Sequence, residues 1–254
     1  MVIGTEGDGR GQLAGTFQAV IFDLFGTLVE NFSRSEYQEV LGAMAAVLGV
    51  SADEFERVWM GTFAERTTRG CERTEDDIEL MCAHLGVEVG NDAAETVAQM
   101  RRDFTRCQMV PRDGALETLT GLRNMGLRLG LITDCTVEVP QLWPETAFAP
   151  LFDAAVFSCI ECIKKPDPAI YHRTCARLAV EPARCLYVGD GSSQGLSGAE
   201  RAGLQPVWLA VPAEDGPDVH RVDAEEWTGP KVTALGEVLS LVKPQGGVDD
   251  TVSR

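Results

Sequence analysis

AVIFDLFGTLV, residues Ala19–Val29, decides how the rest of the chain is read. Its first four residues are apolar and read as a buried strand. Asp23 interrupts them where the strand should end, and Gly26-Thr27 turns the chain before another apolar pair. Carboxylates are rarely buried unless paired, hydrogen-bonded or bound to a metal, so an aspartate at a strand mouth marks a candidate site. These residues alone leave a second reading open, in which Asp23 only caps the strand before a glycine turn.

Outward from this stretch the chain divides by pattern. Leu127–Ile132, Ala154–Phe157, Cys185–Val188 and Pro206–Leu209 are short apolar runs of β type, separated by helical patterns at Ala115–Met125, Ala169–Leu178 and Ser193–Ala202. This alternation predicts an α/β fold, a Rossmann-like doubly wound parallel sheet whose ligands gather outside the carboxyl ends of the strands. Ala234–Val242 reads as a last helix. Between the first strand and Pro111 the pattern differs. Ser35–Leu48, the run SADEFERVWMGTFAER opening at Ser51, Thr74–Leu85 and Asp92–Cys107 all space their apolar residues as helices, with Thr74 and Asn91 expected as caps. The prediction is a helical-bundle cap over 32–108, inserted into a core formed by 17–31 and 109–242. Residues 1–16 read as a disordered leader and 243–254 as a loose tail.

Of the 254 residues 44% are hydrophobic, enough to bury a sizeable core. No stretch approaches the ~20 consecutive apolar residues of a membrane helix, and the N-terminus lacks the basic start and apolar centre of a signal peptide. The expected location is the cytoplasm. The net charge of −17 opposes binding to nucleic acid or an anionic membrane through a diffuse field, so a small anionic substrate needs a local cationic device. The eight cysteines sit mostly among apolar residues, which favours buried hydrophobes over a disulfide framework. Cys159 and Cys162 form a CxxC that lacks the second pair of a zinc site.

The residues that end the strands form a chemically coherent set. The first strand ends at Asp23, the second at Thr133-Asp134 and the fourth at Gly189-Asp190-Gly191, while Lys164-Lys165-Pro166-Asp167-Pro168 follows the third. Each has a use if the substrate carries phosphate. A carboxylate can attack phosphorus and split a difficult transfer into two easier steps. Two converging aspartates call for a hard cation such as Mg²⁺, and a lysine offsets the charge of the transferring group. A threonine hydroxyl and nearby N–H groups can hold the remaining oxygens.

With these residues in view, the sequence resembles the haloacid dehalogenase-like hydrolase superfamily. VIFDLFGTLV is similar to its first motif, LITDC to its second, KKPDPAIY to its third and YVGDGSSQGLSGAERAG to its fourth. The resemblance implies a Rossmann-like core with a mobile helical cap between the first and second motifs. It also implies that Asp23 is the nucleophile, that Thr133 binds the transferred group, that Lys165 orders nucleophile and substrate, and that Asp190 helps hold Mg²⁺ together with Asp23 and the backbone carbonyl of Phe25. Asp134 either caps the next turn or lies beside the substrate, and Phe25 faces the substrate.

Two positions depart from the family pattern. Phosphatases of the family usually carry a second Asp two residues after the nucleophile, acting as general acid and base. Here Phe25 stands there, and such catalysis is typically worth about 10²–10⁴-fold. Dehalogenases of the family lack that acid, because halide leaves unprotonated. In the fourth motif, Gln194 and Gly195 stand where a further acid usually follows, yet Asp190 remains where haloacid dehalogenases usually have serine. Three readings follow: a Mg²⁺-dependent phosphatase, a metal-independent 2-haloacid dehalogenase, and a ligand-binding or partner-binding module with little turnover. Arg66, Arg69 and Arg73 of the insert are candidates to reach a substrate anion, although exposed arginines are mostly solvated. Trp59, Phe63 and Phe104 are spaced as helix core, and His84 and His172 lack ligand spacing.

Overall fold

The structure is a computed structural model that describes residues 16–211 and 223–242. The expected tail, and all but residue 16 of the expected leader, lie outside the described residues. Six parallel strands form one sheet: β1 (Ala19–Phe22), β2 (Arg128–Thr133), β3 (Ala154–Phe157), β4 (Cys185–Gly189), β5 (Gln205–Leu209) and β6 (Lys231–Val232). Their spatial order is β3-β2-β1-β4-β5-β6, so β1 is central, and Phe22 lies level with Leu131 of β2 and Val188 of β4. Asp23 therefore leaves the sheet between its two neighbours.

The strands are apolar throughout because both faces are covered. Val20, Phe22, Leu129, Leu131, Leu186 and Val188 point to the face packed by α6 (Ala115–Asn124). Ala19, Ile21, Ile132 and Tyr187 point to the opposite face, packed by α9 (Pro168–Leu178) and α10 (Gly195–Arg201). α9 starts at the sequence that carries Lys165. Asp167 is its N-cap and accepts from Ala169 N at 2.9 Å, and Pro168 supplies a first-turn residue with no N–H to satisfy. The cap fixes where the chain leaves the Lys165 loop.

Between β1 and β2 lie α1 (Arg34–Leu48), α2 (Ala52–Gly61), α3 (Phe63–Arg66), α4 (Thr74–Leu85) and α5 (Asn91–Gln108). They bury a core of their own around Leu41, Met44, Phe55, Trp59, Ile78 and Met81. Ser33 caps α1 and Gly49 ends it in the left-handed region at φ 68°. The remaining described α-helices are two short ones, α7 (Glu138–Leu142) and α8 (Ser158–Glu161), and the final α11 (Val238–Leu241).

Several local expectations needed correction. The run from Ser51 is two helices, broken where the Thr62 hydroxyl donates to the Val58 carbonyl at 2.9 Å. Thr74 and Asn91 are the first helical residues, with Arg73 and Gly90 at the cap positions one residue earlier. Ser193 and Gln194 are left-handed, at φ 55° and 50°, so α10 begins at Gly195 rather than Ser193. The expected last helix is a 3-10 turn at Leu235–Glu237 followed by α11. α7 and α8 are too short to show a helical period, and β6 too short for a strand pattern.

Two glycines separate packing from propensity. A Cβ on Gly198 of α10 would meet Tyr171 Oη at 2.6 Å and the Pro166 Cα at 3.0 Å, whereas one on Gly42 of α1 meets nothing within 4 Å. We expect Gly198→Ala to lose about 1–3 kcal/mol of stability and Gly42→Ala to gain about 0.5–1 kcal/mol, read from urea unfolding midpoints.

Candidate active site

Three central strands and one loop bring the predicted residues together. Asp23 follows β1, Thr133 ends β2, Asp190 follows β4, and Lys165 lies three residues before α9. All four are at most 4% exposed. Lys165 Nζ lies 2.7 Å from Asp23 Oδ2, and the Leu24 N–H donates to Asp23 Oδ1 at 2.8 Å. The Lys165 loop is held in turn by Asp134, whose Oδ1 accepts the Lys165 N–H at 3.0 Å. Asp134 thus acts as a tether between β2 and the loop rather than as a cap of its own turn. Lys164, expected to be solvated, is half-buried, with Nζ 3.8 Å from Asp134 Oδ2.

Asp190 is anchored by residues that sequence reasoning passed over. Ser192 donates its N–H to Oδ1 at 2.9 Å and its hydroxyl to Oδ2 at 2.8 Å, and Asn31 Nδ2 donates to Oδ2 at 3.2 Å. Gly26 makes this approach possible. It sits at φ 73°, and a Cβ there would lie 2.4 Å from Asp190 Oδ2 and 2.5 Å from Asn31 Nδ2. The glycine that reads in sequence as a turn former is also required by close packing. Asn31 gave no sequence signal, since its partner is far away along the chain.

Burial pushes the Asp23 carboxyl up to about 6; the Lys165 ammonium opposes this shift and the Asp190 carboxylate adds to it. Burial alone would lower the Lys165 pKa, but Asp23 and Asp134 outweigh it and hold the ammonium above the usual lysine value. The pair is therefore a carboxylate and an ammonium at neutral pH.

A cavity of about 450 Å³ opens over this cluster, and both the sheet edge and the helical insert line it. Asp23, Thr133, Asp134 and Lys165 form one end; Phe25, Arg66 and Arg101 also line it. Of the three expected arginines only Arg66 reaches the cavity. Arg69 is exposed, and Arg73 pairs with Asp76 at 2.8 Å on the surface. Trp59 is core as expected, but Phe63 and Phe104 are half-buried and Phe63 lines the cavity. Cys159 is buried 4.0 Å from Cys135 rather than beside Cys162, which is exposed. His84 and His172 contact Glu65 and the Ala202 carbonyl. Arg101 was missed although the signal existed, because it continues the buried stripe Ala94, Val97, Ala98 and Thr105 of α5.

The family model described as haloacid dehalogenase-like hydrolase matches residues 17–203. The chain belongs to that family. Among its relatives, a glyceraldehyde 3-phosphate phosphatase of Pyrococcus furiosus is 28% identical over 63% of this chain, and the chain spans 65% of that protein's length. A haloacid dehalogenase-like phosphatase structure from Thermococcus onnurineus superposes with a TM-score of 0.62 at 22% identity, covering 89% of this chain and 97% of that one. The L-2-haloacid dehalogenase of Xanthobacter autotrophicus gives 0.60 at 21% identity, covering 89% and 98%. At that identity the two structures speak to the fold. In this chain Asp23, Thr133 and Asp190 at strand ends and Lys165 in a loop gather, all buried, at one edge of the sheet.

Removing Lys165 leaves a buried carboxylate without its cation. We expect Lys165→Met to cost about 3–5 kcal/mol at pH 8. The loss shrinks at pH 5, where Asp23, freed of the ammonium that lowers its pKa, takes up a proton. Urea unfolding at the two pH values reads both outcomes; an equal loss at both would contradict the ion-pair assignment.

Proposed function

We propose that this hydrolase cleaves small phosphate monoesters by attack of Asp23 on phosphorus, forming an aspartyl-phosphate that water then hydrolyses. The observation that carries this reading is the second buried carboxylate, Asp190, close enough to Asp23 to raise its pKa and fixed by Ser192 and Asn31. Dehalogenation has no use for that charge, whereas phosphoryl transfer does. The residues fit a magnesium ion: the donors are hard oxygens, Gly26 leaves room where a Cβ would fill the cradle, and Mg²⁺ is commonly held by only one or two carboxylates with water and substrate phosphate. Asp23, Asp190 and the Phe25 carbonyl would hold it. When bound, the ion offsets the negative charge of the nucleophile and of the phosphoryl oxygens.

The chain's own groups account for the remaining steps. Lys165 keeps Asp23 ionised and aimed, and offsets charge on the transferring group. Thr133 and the backbone N–H groups after β2 take the other phosphoryl oxygens. The insert, 32–108, serves as the cap that encloses the substrate. Phe25 cannot protonate a leaving group, so aryl phosphates exceed alkyl phosphates in kcat/KM by about 10²–10⁴-fold.

One observation favours metal-independent dehalogenation of a 2-haloacid as the second reading. The Phe25 ring lies 4.8 Å from Phe32, which lies 5.4 Å from Phe104, so an apolar wall flanks the site. Such a wall suits a carbon–halogen bond, since halide leaves without a proton.

Assays of p-nitrophenyl phosphate and chloroacetate with and without EDTA separate the two. Phosphate release that EDTA abolishes is expected; chloride release in EDTA without phosphatase activity reverses the order. Asp23→Asn abolishes either activity. In the metal-free chain, the Asp23 carboxyl titrates near 6 by carbon NMR, and added Mg²⁺ moves it down because a cation favours the ionised form. A titration unmoved by Mg²⁺ would remove the metal from the reading.

A further inference from the structure

We propose that Arg101 forms the far end of the substrate site, where its guanidinium binds a carboxylate carried by the phosphate ester. The proposal rests on the phosphatase reading for the other end of that substrate. Arg101 lines the same cavity as Asp23 and Lys165, yet it comes from α5 of the insert. It is 5% exposed, and four rings surround it: the guanidinium carbon lies 5.3 Å from the Tyr37 centroid, 5.7 Å from Phe104, 5.8 Å from Trp59 and 5.9 Å from Phe32.

An arginine serving only as a strut between insert and core would be expected to spend both edges of its fork on an acid. Glu138 of α7 is available for that, and its Oε1 lies 2.8 Å from Arg101 Nε. The match is incomplete. The Nε contact is not aligned as a hydrogen bond, Arg101 Nη1 is buried without an acceptor among the described residues, and Glu138 Oε2 is buried without a donor. Glu138 Oε1 is instead shared with the hydroxyls of Thr136 at 2.5 Å and Thr105 at 3.5 Å. A buried charged donor with no acceptor is costly, and it is the state expected of a group whose acceptor arrives with a ligand.

Arg66, the other buried arginine on the cavity, shows the contrast. Its Nη2 donates to the Trp59 carbonyl at 2.7 Å, its Nε to Thr62 Oγ1 at 3.3 Å, and its guanidinium stacks 3.8 Å from the Trp59 centroid. That fork is committed to its own segment. It still contributes charge. Two arginines face Glu138, whose Oε2 still lacks a donor, while burial raises the Asp77 carboxyl behind Arg66 to about 7 and leaves it only partly charged near neutrality. The surplus of positive charge at the two guanidinium groups favours an anion. The planar guanidinium matches the planar carboxylate.

The test uses a pair of ligands that differ mainly at the end in question, 3-phosphoglycerate with its carboxylate and glycerol 3-phosphate with a hydroxymethyl group. Titration calorimetry on the full chain carrying Asp23→Asn measures their affinities without turnover. 3-Phosphoglycerate is expected to bind at least tenfold more tightly. Adding Arg101→Gln with Glu138→Gln, which removes both charges of the pair and leaves no unpaired ion, brings the two affinities together. Arg101→Lys keeps the charge, loses the fork and falls between. A strut role would alter the melting temperature but not this ratio. Equal affinities in the Asp23→Asn chain, binding of neither ligand, or a preference that survives the double replacement overturns the proposal. Failure of the hydrolase reading looks different: the carboxylate preference is present while the parent chain releases no phosphate from any ester.

Discussion

The contact on which this structure depends is the buried ion pair between Asp23 and Lys165. Two charges can stay in an interior only when they neutralise each other and their remaining polar atoms find partners. The chain meets that condition with the Leu24 N–H on the aspartate, and it holds the backbone of the lysine with Asp134. Because Asp23 leaves the central strand, Lys165 lies in the loop before α9 and Asp134 follows β2, the pair ties three elements into one frame. The raised carboxyl pKa is the cost of that burial, and it leaves a carboxylate poised rather than quenched.

A second buried pair does a related task at the other side of the cavity. Arg101 comes from the insert and Glu138 from the core, so their contact spans the seam between the two sets of helices. Gln141 reinforces the seam by donating to the Glu72 carbonyl at 3.0 Å. The Asp23 pair has its open valences met by neighbours, whereas the Arg101 pair keeps an unmet donor and an unmet acceptor. Phe25 and Phe32 pack against each other and give the cavity an apolar wall.

Phe25 gives the site its chemical bias. A phenyl ring at this position cannot deliver a proton. Its fit is local, since the ring packs at a tilt against Phe32 from the segment just beyond the same turn. Ser192 and Asn31 hold Asp190 as a second buried carboxylate near Asp23. The site combines two buried carboxylates, Asp23 and Asp190, with the apolar ring of Phe25.

The sequence by itself determined the alternation of strands and helices, the helical insert after β1, and the membership of Asp23, Thr133, Lys165 and Asp190 in one site. Each of these follows from local pattern: apolar runs stop where a polar residue ends a strand, and a parallel sheet brings all such ends to one edge. Short elements such as α7 and β6 carry too few residues to show a period, and the break at Thr62 turns on a hydroxyl bonding back to its own helix. Only the tertiary structure decided which arginine reaches the cavity, that Asn31 and Ser192 hold Asp190, and that Asp134 tethers the Lys165 loop. The reason is physical. A side chain's place on a helix is written every three or four residues, but a buried polar group's partner is chosen by the packing of elements that lie far apart in the chain.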